Sequence, residues 1–370
     1  MNKIALYLGG GGARGAYQAG VLKAISLLLD TKKLPFNILS GASVGCVNAA
    51  ILTERAHNFH DGVSRLLELW CSIKSADLYK TSNYALSKSF MANIHSMVAK
   101  QRLLGHLLDS SPMHAFIHKV LDFKAIEQSI LSRQIETLEI ITSCYESQKT
   151  ISFYQHYQKE FNDWSLPLHD SQQITVQAEY FLASTSLPLF FPPQHINGFH
   201  YSDGHIGLDS PLRGAIQCEA NKILVIGTRK SPSMGFPKSL STTDIDFSRV
   251  LGGLINGLFL DNLERDIEVI NNMNHMAELL LKAKESQSHW KPIKILHIQP
   301  SIEPSVIAQS QYHLMPFILR MFLNFLGAKR HTGALLSFLL FEKAFTQQLV
   351  DLGFADAMAK KEHIKAFFEH

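Results

Sequence analysis

The sequence predicts an α/β fold: a mainly parallel sheet sandwiched by helices, with a helical insertion and a helical C-terminal region. Two observations predict it. The pattern strand–loop–helix occurs twice within the first 55 residues, which is the signature of parallel strands joined by right-handed crossovers. Short apolar runs then recur at 138–143, 150–154, 223–226 and 293–298, between stretches of helical periodicity.

Taken in order, Ile4 to Leu8 reads as a short buried strand. Gly9 to Gly12 follows as a turn that only glycines make comfortably. Ala16 to Leu29 is a helix, apolar at Val21, Leu22, Ile25, Leu28 and Leu29 at the spacing of one helical face. Pro35 to Leu39 is a second short strand, Ser40 to Gly45 a second tight turn, and Val47 to Glu54 belongs to a second helix that begins near Val44. No clear strand is read between 57 and 137. The helical stretches 62–73, 85–108, 113–120 and 124–131 suggest a helical insertion or cap. Residues 229–246 read as a polar loop and 283–292 as a polar connector. The expected organisation is one α/β unit over 1–300, carrying the cap at 57–137, with helices of 301–370 packed on the same unit.

The chain has 370 residues, 46% of them hydrophobic, which is enough for a large core. Charged residues make up 18%, below the roughly 25% of an average soluble protein. The net charge of +3 comes without a dense Lys/Arg run, so no nucleic-acid partner is expected. Cys46, Cys71, Cys144 and Cys218 are widely and irregularly spaced, with no CxxC or Cys/His pattern, and are read as reduced thiols. No EF-hand loop or HExxH is present, so neither metal nor cofactor is expected. No 18-residue apolar run suggests a membrane span, and the N-terminus does not read as a secretory leader.

Two motifs carry chemistry. Gly9-Gly10-Gly11-Gly12-Ala13-Arg14-Gly15 lies between a strand and a helix. Consecutive glycines let backbone N–H groups converge, and the helix that follows adds its positive dipole end. Such a nest receives a phosphate or a developing oxyanion. The spacing also fits GxGxxG, but the next strand ends Asn37-Ile38-Leu39-Ser40, without the acid a dinucleotide site requires. The second motif, Gly41-Ala42-Ser43-Val44-Gly45, again joins strand to helix. That is the context of a GxSxG nucleophile elbow, with Ser43 lifted out of the sheet edge between Gly41 and Gly45.

These two motifs, in this order, resemble the patatin-like phospholipase family. Ala183-Ser184-Thr185-Ser186-Leu187-Pro188 with Phe191-Pro192-Pro193 is similar to the family's third block, and Tyr201-Ser202-Asp203-Gly204 to its fourth. Pro211 falls where the family has a proline. Leu340-Phe341 and Leu352-Gly353-Phe354-Ala355-Asp356-Ala357 resemble the tails of bacterial members. Two positions depart from the pattern: His205 replaces the usual glycine or alanine, and Asp209 stands where asparagine is common. The resemblance implies a serine–aspartate dyad without histidine, in which Asp203 takes the proton of Ser43. It implies an oxyanion hole on Gly10, Gly11 and Gly12, with Arg14 holding that loop or adding charge. It also implies hydrolysis of fatty-acyl esters of phospholipids or lysophospholipids. An esterase or acyltransferase acting on other esters is the alternative. His205 is read as a pocket wall before it is read as the histidine of a triad.

The stretch 78–108 holds Lys80, Lys88, Lys100 and Arg102 among large apolar side chains and contains no acid. It is the best candidate to face an anionic membrane. The expected setting is therefore cytoplasmic with peripheral attachment to a phospholipid surface. Export as an effector, a homo-oligomer and a protein activator stay open.

Overall fold

The computed structural model of the protein describes residues 3–82, 108–205, 207–231, 262–282, 290–317, 320 and 333–369. The helix expected over 85–108 and most of 229–246, 283–292 and 315–326 lie outside the described residues. A ten-stranded sheet organises the rest. Its strands are β1 (Ile4–Leu8), β2 (Ile38–Ala42), β3 (Thr137–Cys144), β4 (Thr150–His156), β5 (Ser165–Leu166), β6 (His169–Gln173), β7 (Gln194–Ile196), β8 (Phe199–Asp203), β9 (Lys222–Ile226) and β10 (Lys294–Ile298). The order is β10-β9-β1-β2-β3-β4-β6-β5, and β8 joins β3 while also pairing β7. From β10 to β3 every pairing is parallel. The far end is mixed, because β4 and β8 both run antiparallel to β3.

Central strands such as β1 and β9 are apolar on both faces, as a sheet covered on both sides requires. Side chains alternate between two cores. Leu6, Leu8, Leu39, Leu138, Ile140, Leu224 and Ile226 enter the larger one. Ala5, Tyr7, Ile38, Ile141, Ile223 and Val225 enter the smaller one. The larger core is covered by α1 (Ala16–Leu29), α2 (Val44–Glu54), α3 (Phe59–Ser72), a short α4 (Ser75–Leu78), α5 (Ser111–Val120), α6 (Phe123–Leu131) and α7 (Ala178–Ser184). The smaller core is covered by α8 (Arg213–Gln217) and α9 (Leu263–Lys282).

The C-terminal helices α10 (Pro304–Ser310), α11 (Gly333–Leu339), α12 (Lys343–Ala359) and α13 (Lys361–Phe368) join the larger core. Helix α12 lies directly on α1. A Cβ on Gly20 would come within 1.9 Å of the Val350 carbonyl oxygen, and one on Gly353 within 2.1 Å of that of Tyr17. The Tyr17 hydroxyl also reaches Asp356 at 3.1 Å. Within the stretch 57–137, α3 packs on both α1 and α2, and α6 packs on α2 and β4.

One polar row crosses the smaller core. The buried Glu139 carboxylate accepts from Ser40 Oγ at 2.5 Å and from Ser152 Oγ, and Ser152 in turn meets His169 Nε2 at 2.8 Å. Burial pushes the Glu139 carboxyl above its ordinary range. Gly214 of α8 leaves room for that carboxylate, because a Cβ there would lie 1.9 Å from Oε1.

Candidate active site

Ser43 sits between β2 and α2 with φ 53° and ψ −131°. This is a left-handed turn that a serine adopts only when its surroundings enforce it. The flanking glycines supply the enforcement. A Cβ on Gly41 would lie 2.4 Å from the Gly45 carbonyl carbon, and one on Gly45 would lie 2.0 Å from the Leu8 carbonyl oxygen. Both glycines therefore let the start of α2 settle on the ends of β1 and β2. The Ser43 N–H donates to Ser184 Oγ at 2.9 Å, and Ser184 Oγ donates to the Ile141 carbonyl at 2.6 Å. Ser184 thus ties the elbow to β3.

The topology brings Asp203 to this elbow. Parallel pairing of β2 with β3 ends at Ala42 opposite Ile141. Strand β8 runs the other way along the same strand and ends with Asp203 opposite Thr142. The two strands meet end to end along β3, and their next side chains face each other. Ser43 Oγ donates to Asp203 Oδ2 at 2.5 Å, within the range of a charge-assisted O–H···O⁻ bond. The other carboxylate oxygen accepts the His205 backbone N–H at 2.8 Å, and the Asp203 N–H donates to the Ser186 carbonyl at 2.9 Å. Asp203 is 2% exposed, and burial raises its pKa against the opposing pull of the Ser43 hydrogen bond.

The glycine loop crosses above this pair. Gly11 and Gly12 adopt φ of 158° and 56° and line the cavity that holds Ser43 and Asp203. Gly10 is covered by His205, whose Cβ would lie 2.8 Å from a Cβ at that glycine. Among the described residues, the backbone N–H groups of Gly10 and Gly11 donate to no acceptor. The loop carbonyls, by contrast, are held. Gln18 Nε2 donates to the Gly9 carbonyl at 2.7 Å, and Thr228 Oγ1 donates to that of Gly10. Arg14 is buried and turned toward the C-terminal helices, with Nε on Ser337 Oγ at 2.8 Å and Nη1 3.3 Å from Glu303. Those are contacts that hold the loop.

The cavity is mainly apolar, with Ser43, Asp203, Thr185 and His205 as its polar side chains. Its wall comes from α2, α3 and α5, and from the 338–341 stretch that ends α11, with Val47, Trp70, Ile117 and Phe338 among its residues. The ring of His205 also lines it. Neither ring nitrogen of His205 has a hydrogen-bond partner among the described residues, so the ring touches neither Ser43 Oγ nor the Asp203 carboxylate as a triad histidine would. Asp209 lies in the turn after β8 and does not line the cavity.

Sequence reasoning overlooked Ser184 as the elbow's anchor, although it lies in a quoted motif. It also overlooked Gln18 of α1, Glu139 of β3 and Thr228, which follows β9; nothing in their local sequence sets them apart from other polar residues nearby. Lys80 is paired with Asp109 at 2.6 Å, just beyond the acid-free stretch; Lys88, Lys100 and Arg102 lie outside the described residues. The four cysteines are unpaired. Among the described residues, no cluster is arranged to hold a metal and no helix is long and apolar enough to cross a membrane.

A buried serine–carboxylate pair at a strand–helix elbow, below a glycine loop, defines the class of site. The chain matches the patatin-like phospholipase family model over residues 6–216, and it belongs to that family. The patatin-like phospholipase domain-containing protein 6 of Mus musculus is 27% identical over 155 residues, covering 42% of this chain and 10% of that protein. The proteins of the same name from Pongo abelii and Homo sapiens match to the same extent. The chain thus spans about a tenth of the length of these curated relatives. Among solved structures, VipD from Legionella pneumophila is similar with a TM-score of 0.38 and 14% identity, over 98% of this chain and 67% of that one.

Proposed function

We propose that this chain cleaves fatty-acyl esters of phospholipids or lysophospholipids through a Ser43–Asp203 dyad. The observation that carries the reading is the 2.5 Å hydrogen bond from Ser43 Oγ to a buried carboxylate inside an apolar cavity. Serine is a weak nucleophile until a base takes its proton. Asp203 accepts that proton as Ser43 Oγ attacks the ester carbonyl carbon. The negative charge that develops on the carbonyl oxygen meets the N–H groups of Gly10, Gly11 and Gly12, together with the positive end of the helix they open. The C–O bond to the leaving alcohol breaks, and the proton on Asp203 passes to that alcohol. Asp203 then deprotonates a water that attacks the acyl-serine, releasing the fatty acid and returning the proton to Ser43.

The acyl chain occupies the apolar cavity, so the protein works at a lipid surface as a peripheral protein. The test is lipid-product analysis on phospholipid vesicles with wild type and Ser43→Ala side by side. Free fatty acid and lysophospholipid are expected from the wild type alone. Equal release by Ser43→Ala would sink the dyad. Ser43-dependent turnover of soluble esters, with vesicle lipid untouched, would select the alternative esterase reading.

A further inference from the structure

One wall of the cavity comes from outside the family-matched region. Phe338, Leu339 and Phe341 line the space that holds Ser43, and they lie well beyond residue 216. This stretch is fastened at several points. The Phe338 carbonyl oxygen rests on Gly12, where a Cβ would come within 2.1 Å of it. The Arg14 guanidinium lies over the Phe338 ring at 4.4 Å and its Nε holds Ser337 Oγ at 2.8 Å. Tyr79 Oη donates to the Leu339 carbonyl at 3.0 Å. The Phe341 ring stacks on Trp70 at 6.3 Å between centroids and 13° between planes. Trp70 is itself fixed by its indole N–H on Asn48 Oδ1 at 3.0 Å.

A wall pinned in this way cannot yield to a ligand without breaking several buried contacts. The size of each of its side chains is therefore converted into free space beside Ser43. Phe338, Leu339 and Phe341 offer hydrocarbon side chains to that space, while the Leu339 carbonyl is taken up by Tyr79. An unbranched hydrocarbon chain fits such a surface, and its length is the property the surface can sense.

We propose that the 338–341 stretch determines which acyl-chain lengths this enzyme accepts, with Leu339 and Phe341 as the deciding residues. The inference rests on the Ser43–Asp203 reading above. The test is kcat/KM toward p-nitrophenyl butanoate, octanoate and hexadecanoate, because ratios between esters cancel any change in the fraction of folded enzyme. Phe341→Ala should raise the hexadecanoate-to-octanoate ratio by about ten-fold, the lower end of what one methylene carries in a tight apolar pocket. Phe341→Leu should raise it less, and Leu339→Trp should lower it. Ratios unmoved in all three variants, with hydrolysis still dependent on Ser43, would overturn this inference alone. Hydrolysis surviving in Ser43→Ala would overturn the dyad and this inference with it.

Discussion

At the scale of the residue, the proposed chemistry depends on a carboxylate kept in an uncomfortable place. Asp203 is buried beside an apolar cavity, and burial raises its pKa above the ordinary value of about 3.9. In the proposed dyad its ionised form is the base, so activity should be lost as pH falls through that raised value. The acid limb of kcat/KM should lie above the ordinary aspartate range. Asp203→Asn should lower turnover by about 10²–10⁴-fold, the usual worth of a positioned base. The sign for stability is the opposite. As pH rises, the unfolded chain ionises first and the folded carboxyl resists, so Asp203 withdraws stability above the ordinary range. Asp203→Asn should therefore melt higher than wild type at neutral pH while losing turnover. His205→Ala should keep the acid limb and substantial activity. An essential His205 with a dispensable Asp203 would replace the dyad with a triad.

At the scale of the element, the elbow works because α2 starts hard against the ends of two strands. Gly45→Ala places a methyl 2.0 Å from the Leu8 carbonyl oxygen, a backbone atom with no rotamer to move. The loss should be at least about 3 kcal/mol, the upper part of the usual overpacking range. Chemical denaturation measures it, and a loss under about 1 kcal/mol would mean that the close approach is relaxed in solution. Both glycine motifs were legible in the sequence because each is local: glycines, a serine and an arginine within one turn between a strand and a helix. The partner of Ser43 was not legible in that way. Asp203 reaches it because β8 arrives antiparallel along β3, across 160 positions, and only a resemblance joined the two in advance. Strand β8, Phe-His-Tyr-Ser-Asp, offers only two apolar side chains, of which Phe199 is exposed, and β7 has three residues, so neither stood out as a strand. Helix α7 is seven residues long and buried on nearly every side, which removes the polar face that periodicity needs.

At the scale of the whole molecule, the doubly covered sheet was the most legible feature, because runs such as IALYL and KILVI are apolar on both faces. The antiparallel end was not, since the direction of a strand leaves no mark on its composition. The C-terminal helices complete the larger core on α1, and they supply part of the wall around Ser43 and the clamp on Arg14. The site is thus assembled from all three thirds of the chain, with Ser43 from the first, Asp203 from the second and Phe338 from the last, and the proposed nucleophile Ser43 is the point on which every other reading depends. Covalent labelling with a fluorophosphonate, read by intact mass and peptide mapping, tests that point most directly. The account predicts a single adduct, located on Ser43 and absent from Ser43→Ala. An adduct on another serine, or equal labelling of Ser43→Ala, would contradict it.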